Sequence, residues 1–198
     1  MRDKFAILEQ MDKSVYLLRT DRLGLRLWKA SDVEVFAGIN TDPAVMEYFP
    51  RPWTAAESAA MVEKIGEFFG ENGFGLYAVD VMASDEFIGY VGMTRPSFEA
   101  WFTPCVEIGW RLRREAWGFG YATEAAAECL RFGLEDLRLP RIYSFTAVPN
   151  KPSERVMQKI GMRFVEEFEH PKIEEGNWLR RHVLYEAERG TEFASLPV

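Results

Sequence analysis

Three consecutive strand-like runs in the middle of the chain most constrain its fold. They read FGLYAVDV (74–81), FIGYVGMT (87–94) and CVEIGWRL (105–112). The link at 82–86 is short enough for a hairpin, so the first two runs are expected to pair antiparallel. A sheet built mainly from such neighbours needs helices to cover its apolar faces.

Helical patterns before and after these runs supply that cover. The segment that begins at Thr54 carries Glu57 at the spacing of a capping box and continues as an amphipathic helix. Further helices are predicted after residue 120 and at 153–161, with a strand at 141–148 between them. The order β-α-α-β-β-β-α-β-α-β-β predicts one α+β (α/β) domain with a mixed, mostly antiparallel sheet.

Composition narrows the class of protein. The 198 residues suit one domain, and the net charge of −7 argues against a nucleic-acid partner. Two cysteines without a CxxC pair and two histidines predict neither a disulfide framework nor a metal site. The first residues lack the apolar core of a signal peptide, and no run reaches the ~20 apolar residues of a membrane helix. We therefore expect a cytoplasmic protein that does not bind membranes.

The stretch WGFGYAT (117–123) places two glycines between a strand and a helix. A helix start carries unpaired N–H groups and a partial positive charge, and side-chain-free residues let a phosphate pair approach them. A tight turn is the alternative. A P-loop requires a lysine that this stretch lacks, and a dinucleotide fingerprint requires Gly or Ala where Thr123 stands. The glycines therefore indicate another type of backbone anion site.

The chain resembles the GNAT superfamily of acyl-CoA-dependent N-acyltransferases, and within it the branch of the ribosomal-protein N-terminal acetyltransferases. The segments at 17–36 and 106–164 carry the resemblance, which covers most of a single domain at 15–187, with terminal extensions at 1–14 and 188–198. The pyrophosphate loop of the family reads Q/R-x-x-G-x-G/A. Here it reads EAWGFG and departs only at Glu115.

A second family block, N-x-x-S-x-R-V-x-x-K-x-G, is complete between Asn150 and Gly161. By resemblance the cosubstrate is acetyl-CoA, and the strand that ends WRL diverges from the next strand to receive the pantetheine arm. The resemblance implies that backbone amides near Trp110 and Leu112 bind this arm. Arg113 or Arg114 either meets a ribose phosphate or belongs to a solvated pair of arginines. The pyrophosphate would be held by the amides of Gly118, Phe119, Gly120, Tyr121, Ala122 and Thr123.

Three polar residues are candidates for chemistry or positioning. Strand alternation puts Glu107 opposite Val106 and Ile108, where it is either a general base or an exposed carboxylate. By resemblance Ser153 lies near the departing sulfur, although it could equally be the N-cap of its helix. Asn150 either binds the pantetheine arm or caps a turn.

Aromatic side chains in two loop-like segments are candidates for the acceptor pocket. Phe49, Trp53 and Trp101, with Phe102, either line this pocket or pack at a loop base or a homodimer contact. The resemblance implies direct acetyl transfer to an amine, either a protein N-terminal amine or a small amine such as a polyamine or amino sugar. A non-catalytic acyl-CoA-binding module is a further alternative.

Overall fold

Eight strands form one mixed sheet in the computed structural model, which describes residues 16–190. They are β1 (Leu18–Arg19), β2 (Leu23–Arg26), β3 (Leu76–Val81), β4 (Glu86–Thr94), β5 (Glu107–Leu112), β6 (Arg141–Ala147), β7 (Arg163–Glu169) and β8 (Arg181–Glu188). Their order in the sheet is β1-β2-β3-β4-β5-β6-β8-β7, and every neighbouring pair is antiparallel except β5–β6, which is parallel. The predicted mixed, mostly antiparallel sheet is confirmed. The extension expected at 1–14 and the end of that expected at 188–198 lie outside the described residues.

Helices cover both faces of this sheet. They are α1 (Asp32–Thr41), α2 (Ala55–Asn72), α3 (Tyr121–Arg131) and α4 (Lys151–Lys159). Tyr90 and Val91 are adjacent on β4 and therefore point to opposite faces. Tyr90 packs in one buried cluster with α1 and α2, whereas Val91 packs in the other with α3 and α4. The helix pairs thus lie on opposite sides of the central strands.

The start of α2 follows from its capping box. Thr54 Oγ1 accepts a hydrogen bond from the Glu57 N–H at 3.2 Å, and Glu57 Oε2 accepts one from the Thr54 N–H at 2.8 Å. Two of the N–H donors that lack an intrahelical partner at the helix start are thereby satisfied. The connection between α1 and α2, residues 42–53, is irregular as its three prolines predict.

Strands β4 and β5 approach each other closely at Gly89. Its φ is +131°, and a Cβ there would lie 2.2 Å from the carbonyl oxygen of Arg111. A residue with a side chain would therefore push β5 away from the sheet. Gly89 sets the position of the strand on which the site described below is built.

A buried ion cluster ties α1 to the sheet. The Arg26 guanidinium contacts both carboxylate oxygens of Asp80 on β3, at 2.6 and 2.7 Å, and both of Asp32 on α1, at 2.6 and 3.0 Å. All three side chains are buried. Because the two bidentate contacts satisfy four of the guanidinium donors, the cluster holds the first helix in register with β2 and β3.

Arg26→Met should lower the free energy of unfolding by about 3–5 kcal/mol, because it leaves two carboxylates buried without a cation. Urea denaturation of the purified protein measures the change. Arg51→Met is the matched control, because Arg51 forms an ion pair with Glu57 that is exposed to solvent. A similar midpoint for the two variants would contradict a structural role for the buried cluster.

Candidate active site

The site begins where β5 and β6 separate. Within residues 16–190 these parallel strands are in register at one pair, Glu107 opposite Tyr143. The Tyr143 N–H donates to the Val106 carbonyl at 2.9 Å, and Ser144 Oγ donates to the Ile108 carbonyl at 2.9 Å. Beyond Ser144 the ladder ends, and a cavity of about 580 Å³ opens between the strands.

Alternation along β5 determines which backbone groups face this opening. The Arg113 N–H donates to the Ile88 carbonyl of β4 at 2.9 Å, so the odd-numbered amides of β5 point toward β4. The amides of Trp110 and Leu112 therefore point away from β4, toward the gap. Their direction fits the backbone pairing with a pantetheine arm that was expected at these two positions.

The bend after β5 matches the glycine pattern. Gly118 has a φ of +82° and Gly120 a φ of +81°, a conformation that favours glycine. A Cβ at Gly118 would meet no atom within 4 Å, and one at Gly120 would meet only the Arg22 side chain. The backbone is thus open to a large anion here, at the start of α3.

The first residues of α3 are arranged around this bend. Gly120 is the N-cap residue of α3 and has no side chain to cap it. The first N–H groups of the helix, at Tyr121, Ala122 and Thr123, therefore have no side-chain cap among residues 16–190. The ring of Phe119 is exposed and stacks on that of Tyr121 with centroids 5.5 Å apart. These residues fit a bound pyrophosphate, with the amides as donors and the side chains directed elsewhere.

The structure shows which of the two residues, Asn150 or Ser153, caps α4. Asn150 caps α4, since its Oδ1 accepts from the Ser153 N–H at 3.3 Å. The alternative of Ser153 as N-cap is therefore wrong, because the helix begins two residues earlier than predicted. Ser153 Oγ instead accepts a hydrogen bond from Trp110 Nε1 at 3.1 Å. Both residues line the cavity.

Glu107 lies on the cavity wall opposite the α3 face of the sheet. Its neighbours Val106 and Ile108 pack in the cluster with α3, whereas the Glu107 side chain lines the cavity. It makes no hydrogen bond or ion pair with any residue between 16 and 190. Burial in these surroundings raises the pKa of the Glu107 carboxyl to about 8.

A cation that sequence reasoning missed lies on the same face of β5. Arg111 is buried, lines the cavity, and packs between the rings of Phe49 and Trp53, with its guanidinium carbon 4.1 and 4.4 Å from their centroids. Period-two alternation from Glu107 reaches Gly109 and then Arg111, so the signal was present in the sequence.

Some predicted site residues lie elsewhere. Phe49 lines the cavity, whereas Trp53 does not line it and packs against Arg111. Trp101 is 63% exposed outside the cavity, and its indole N–H donates to Glu166. Phe102 is buried in a separate aromatic cluster.

Arg113 is also turned away from the cavity. Its guanidinium pairs with Glu86 at 2.5 Å, and it borders a smaller depression near α1. The side chain is therefore not placed to meet a ribose phosphate in the main cavity.

Two histidines that were not predicted as site residues also line the cavity. His170 and His182 have ring centroids 4.8 Å apart. Burial, with the neighbouring His182, lowers the pKa of His170 to about 4, and burial also lowers the pKa of His182. Both rings are therefore neutral at pH 7 and add no positive charge to the cavity.

The described part of the chain contains neither an activated cysteine nucleophile nor a cluster of side chains that could hold a metal ion. Cys105 and Cys129 are buried free thiols, and burial raises the pKa of Cys105 to about 11 and that of Cys129 further. Neither is an activated nucleophile. No group of three His, Cys, Asp or Glu side chains between 16 and 190 could hold a metal ion.

Among the helices of the described residues, none is long and apolar enough to cross a bilayer.

Comparison with known proteins is consistent with this geometry. A family model described as an acetyltransferase (GNAT) domain matches residues 22–163. The uncharacterized N-acetyltransferase p20 of Bacillus licheniformis is 30% identical over 148 residues, which cover 74% of this chain and 82% of that protein. FsC-acetyl coenzyme A-N(2)-transacetylase of Aspergillus fumigatus is 31% identical over 172 residues, covering 80% of this chain and 72% of that protein.

A solved structure of an acetyltransferase has a similar fold. A GNAT-family acetyltransferase from Bacillus anthracis superposes with a TM-score of 0.73 at 26% identity, covering 87% of this chain and 98% of its own. The narrower resemblance to the ribosomal-protein branch stays a prediction.

Gly120→Ala should destabilise the fold by about 1–2 kcal/mol, because alanine is strained at a φ of +81°. Gly70→Ala is the control. Gly70 lies inside α2 with open space around its Cα, so alanine there should stabilise the protein by about 0.5–1 kcal/mol. Urea denaturation distinguishes the two signs. A stabilising Gly120→Ala would mean that the bend does not require a left-handed residue.

Glu107→Gln should stabilise the protein increasingly as the pH rises. The folded carboxyl keeps its proton up to a pKa of about 8, whereas in the unfolded chain it ionises near 4.3. The protonated Glu107 carboxyl therefore leaves the stability of the parent protein at its full value below the unfolded pKa. The parent protein loses this stability as the pH rises through about 8, because the carboxyl then ionises in the folded state. Glutamine does not ionise and avoids this loss.

Thermal unfolding at about pH 5 and about pH 9 provides the measurement. The gap in melting temperature between Glu107→Gln and the parent protein should widen at the higher pH, in favour of the variant. Glu63→Gln, at an exposed position of α2, should show no such widening. A gap that is equal at both pH values would contradict the raised pKa of the Glu107 carboxyl.

Proposed function

The chain belongs to the GNAT acetyltransferase family and is an N-acetyltransferase that uses acetyl-CoA, and we propose that it transfers the acetyl group directly to a primary amine. The observation that carries the proposal is the cavity at the β5–β6 separation, which joins outward-facing amides, an anion-accepting bend and a carboxylate of raised pKa. Protein N-terminal amines and small amines are both primary amines of this class.

Acetyl-CoA, when bound, supplies an acetyl group activated as a thioester. The residues fitted to hold it are Trp110 and Leu112 through their amides, and residues 118–123 through the bend and the start of α3. An amide of β5 directed at the carbonyl oxygen would stabilise the negative charge that develops there. One preorganised donor of this kind contributes about 3–4 kcal/mol in the transition state.

Glu107 is the proposed general base. A base with a pKa of about 8 is partly ionised at neutral pH and still strong enough to accept a proton from an attacking amine. An α-amine has a pKa of about 7.7–8.0, so a useful neutral fraction already exists near pH 7. A lysine-type amine, near 10.4, has a much smaller neutral fraction at this pH and would depend more strongly on the base.

Ser153 is the proposed partner of the departing thiolate. Its oxygen already accepts the Trp110 indole N–H, so its own hydroxyl proton is available to donate. Asn150, by capping α4 and donating from Nδ2 to Thr146 at 2.8 Å, positions the helix turn that carries Ser153. Asn150 thus supports the site through Ser153.

Three further properties of the protein are proposed: its location, its domain boundaries and its oligomeric state. Two buried free thiols are compatible with a reducing, cytoplasmic location. A single domain at 15–187 is supported by a family match that spans its central part. A homodimer is proposed only on the exposed aromatic side chains, of which Trp101 is one.

Glu107→Gln should lower kcat by about 100-fold or more, since a positioned general base contributes at least that much. The assay measures thiol release from acetyl-CoA and confirms the acetylated product by mass. With an acceptor whose own pKa lies well below 7, kcat/KM of the parent enzyme should rise with pH through about 8, and the variant should lack this rise.

Glu63→Gln serves again as the matched control, with activity and pH profile unchanged. Retention of the alkaline rise in Glu107→Gln would assign the base to another group. Absence of acetyl transfer by the parent protein to every amine tested would refute the proposed function itself.

A further inference from the structure

Arg111 is a buried cation without a carboxylate partner among residues 16–190. It is 5% exposed, and Nη1 donates to Asn40 Oδ1 at 2.6 Å, a neutral acceptor. Its Nε is buried and has no hydrogen-bond partner. Arg26, the other arginine buried to this degree, is held by two aspartates. A buried polar group without a partner is costly, and buried charges are ordinarily paired.

Three aromatic rings hold this guanidinium in place. Phe49 and Trp53 lie 4.1 and 4.4 Å from its central carbon, and Tyr90 lies 5.7 Å away. Rings stabilise a cation through their faces but accept little from its N–H groups, which lie in the guanidinium plane. The packing therefore fixes the position of Arg111 and leaves donors unused in a geometry suited to a carboxylate.

Arg111 shares a cavity wall with Glu107. The two are four residues apart on one face of β5, a separation of about 13 Å between Cα atoms at the usual rise of a strand. Gly109 lies between them, and a Cβ there would meet no atom within 4 Å. All three line the same cavity, so an elongated molecule has open space between the carboxyl and the cation.

We propose, building on the acetyltransferase function above, that Arg111 binds a carboxylate of the acceptor. The acceptor is then an amine that carries a carboxylate several bonds from its amino group, with the amine toward Glu107 and the carboxylate toward Arg111. Lys172 is a second cation of the cavity wall, but its Nζ donates to Ser97 at 2.7 Å and its side chain is exposed. Arg111 is thus the buried determinant of specificity.

The test measures binding, so that it does not depend on turnover. Calorimetry on the full chain saturated with CoA compares glycine, γ-aminobutyrate and ε-aminocaproate with the amide of each. The two longer acids should bind about 10- to 100-fold more tightly than their amides, as expected for a charge-assisted contact to a buried guanidinium. Glycine should show little preference because it is too short to reach both groups.

Arg111→Met should abolish the preference for the acid while CoA binding is retained, and Arg111→Lys should keep part of it. Arg51→Met removes an exposed cation from the connection between α1 and α2, which also carries Phe49 and Trp53. This variant should leave the preference for the acid over the amide intact. Equal affinity of acid and amide in the parent protein, a preference confined to glycine, no binding of any acid, or a preference that survives in Arg111→Met would each overturn the proposal. If Arg111→Met does not fold, the parent protein and Arg111→Lys still decide it.

The experiments distinguish a failure of the proposed carboxylate site from a failure of the proposed acetyltransferase function. Tight, Arg111-dependent binding of the acids without acetyl transfer to any amine would refute the catalytic proposal alone. Acetyl transfer to neutral amides with the same kcat/KM as to the acids would refute the carboxylate site alone.

Discussion

The separation of β5 from β6 is the constraint on which the rest of the site depends. Two parallel strands that stop pairing after Tyr143 leave backbone donors of β5 without partners inside the sheet. Such groups are costly unless water or a ligand satisfies them. The separation thus creates both the space and the unmet hydrogen-bonding capacity that an extended, amide-rich ligand can fill. The Ser144 hydroxyl, bonded to the Ile108 carbonyl, marks where pairing ends.

The cavity holds two groups that are unfavourable in the free protein: a carboxyl that burial keeps protonated and a guanidinium without a counter-ion. Marginally stable domains tolerate such groups when stability is provided elsewhere. Here the Arg26 cluster, whose residues do not line the cavity, and the two apolar layers on either side of the sheet provide it. The sheet thus carries both the stabilising clusters and the groups of the candidate site.

Local signals in the sequence were sufficient for much of this arrangement. The Thr54–Glu57 capping box, the hairpin length at 82–86 and the bend with glycines at 118 and 120 before a helix each depend on a few adjacent residues, and each is found in the structure. The acceptor side was harder to predict because it depends on contacts between distant segments. Trp101 and Trp53 are alike in sequence terms, yet only Trp53 packs on Arg111, since the loop paths decide their neighbours. Arg111 is not predicted as a site residue, because a basic residue in a strand is usually solvated.

The two sides of the cavity come from separable stretches of chain. The backbone of β5, the glycine bend and α4 lie on the side proposed to hold the cofactor, whereas the connection between α1 and α2 supplies Phe49 and Trp53, two of the three rings around Arg111. That connection carries no strand pairing, so substitutions in it leave the sheet ladder untouched. On the proposed assignment, changes in this one loop would reshape the surroundings of Arg111 and so the recognition of the acceptor, while the backbone amides proposed to hold the acyl donor stay in place.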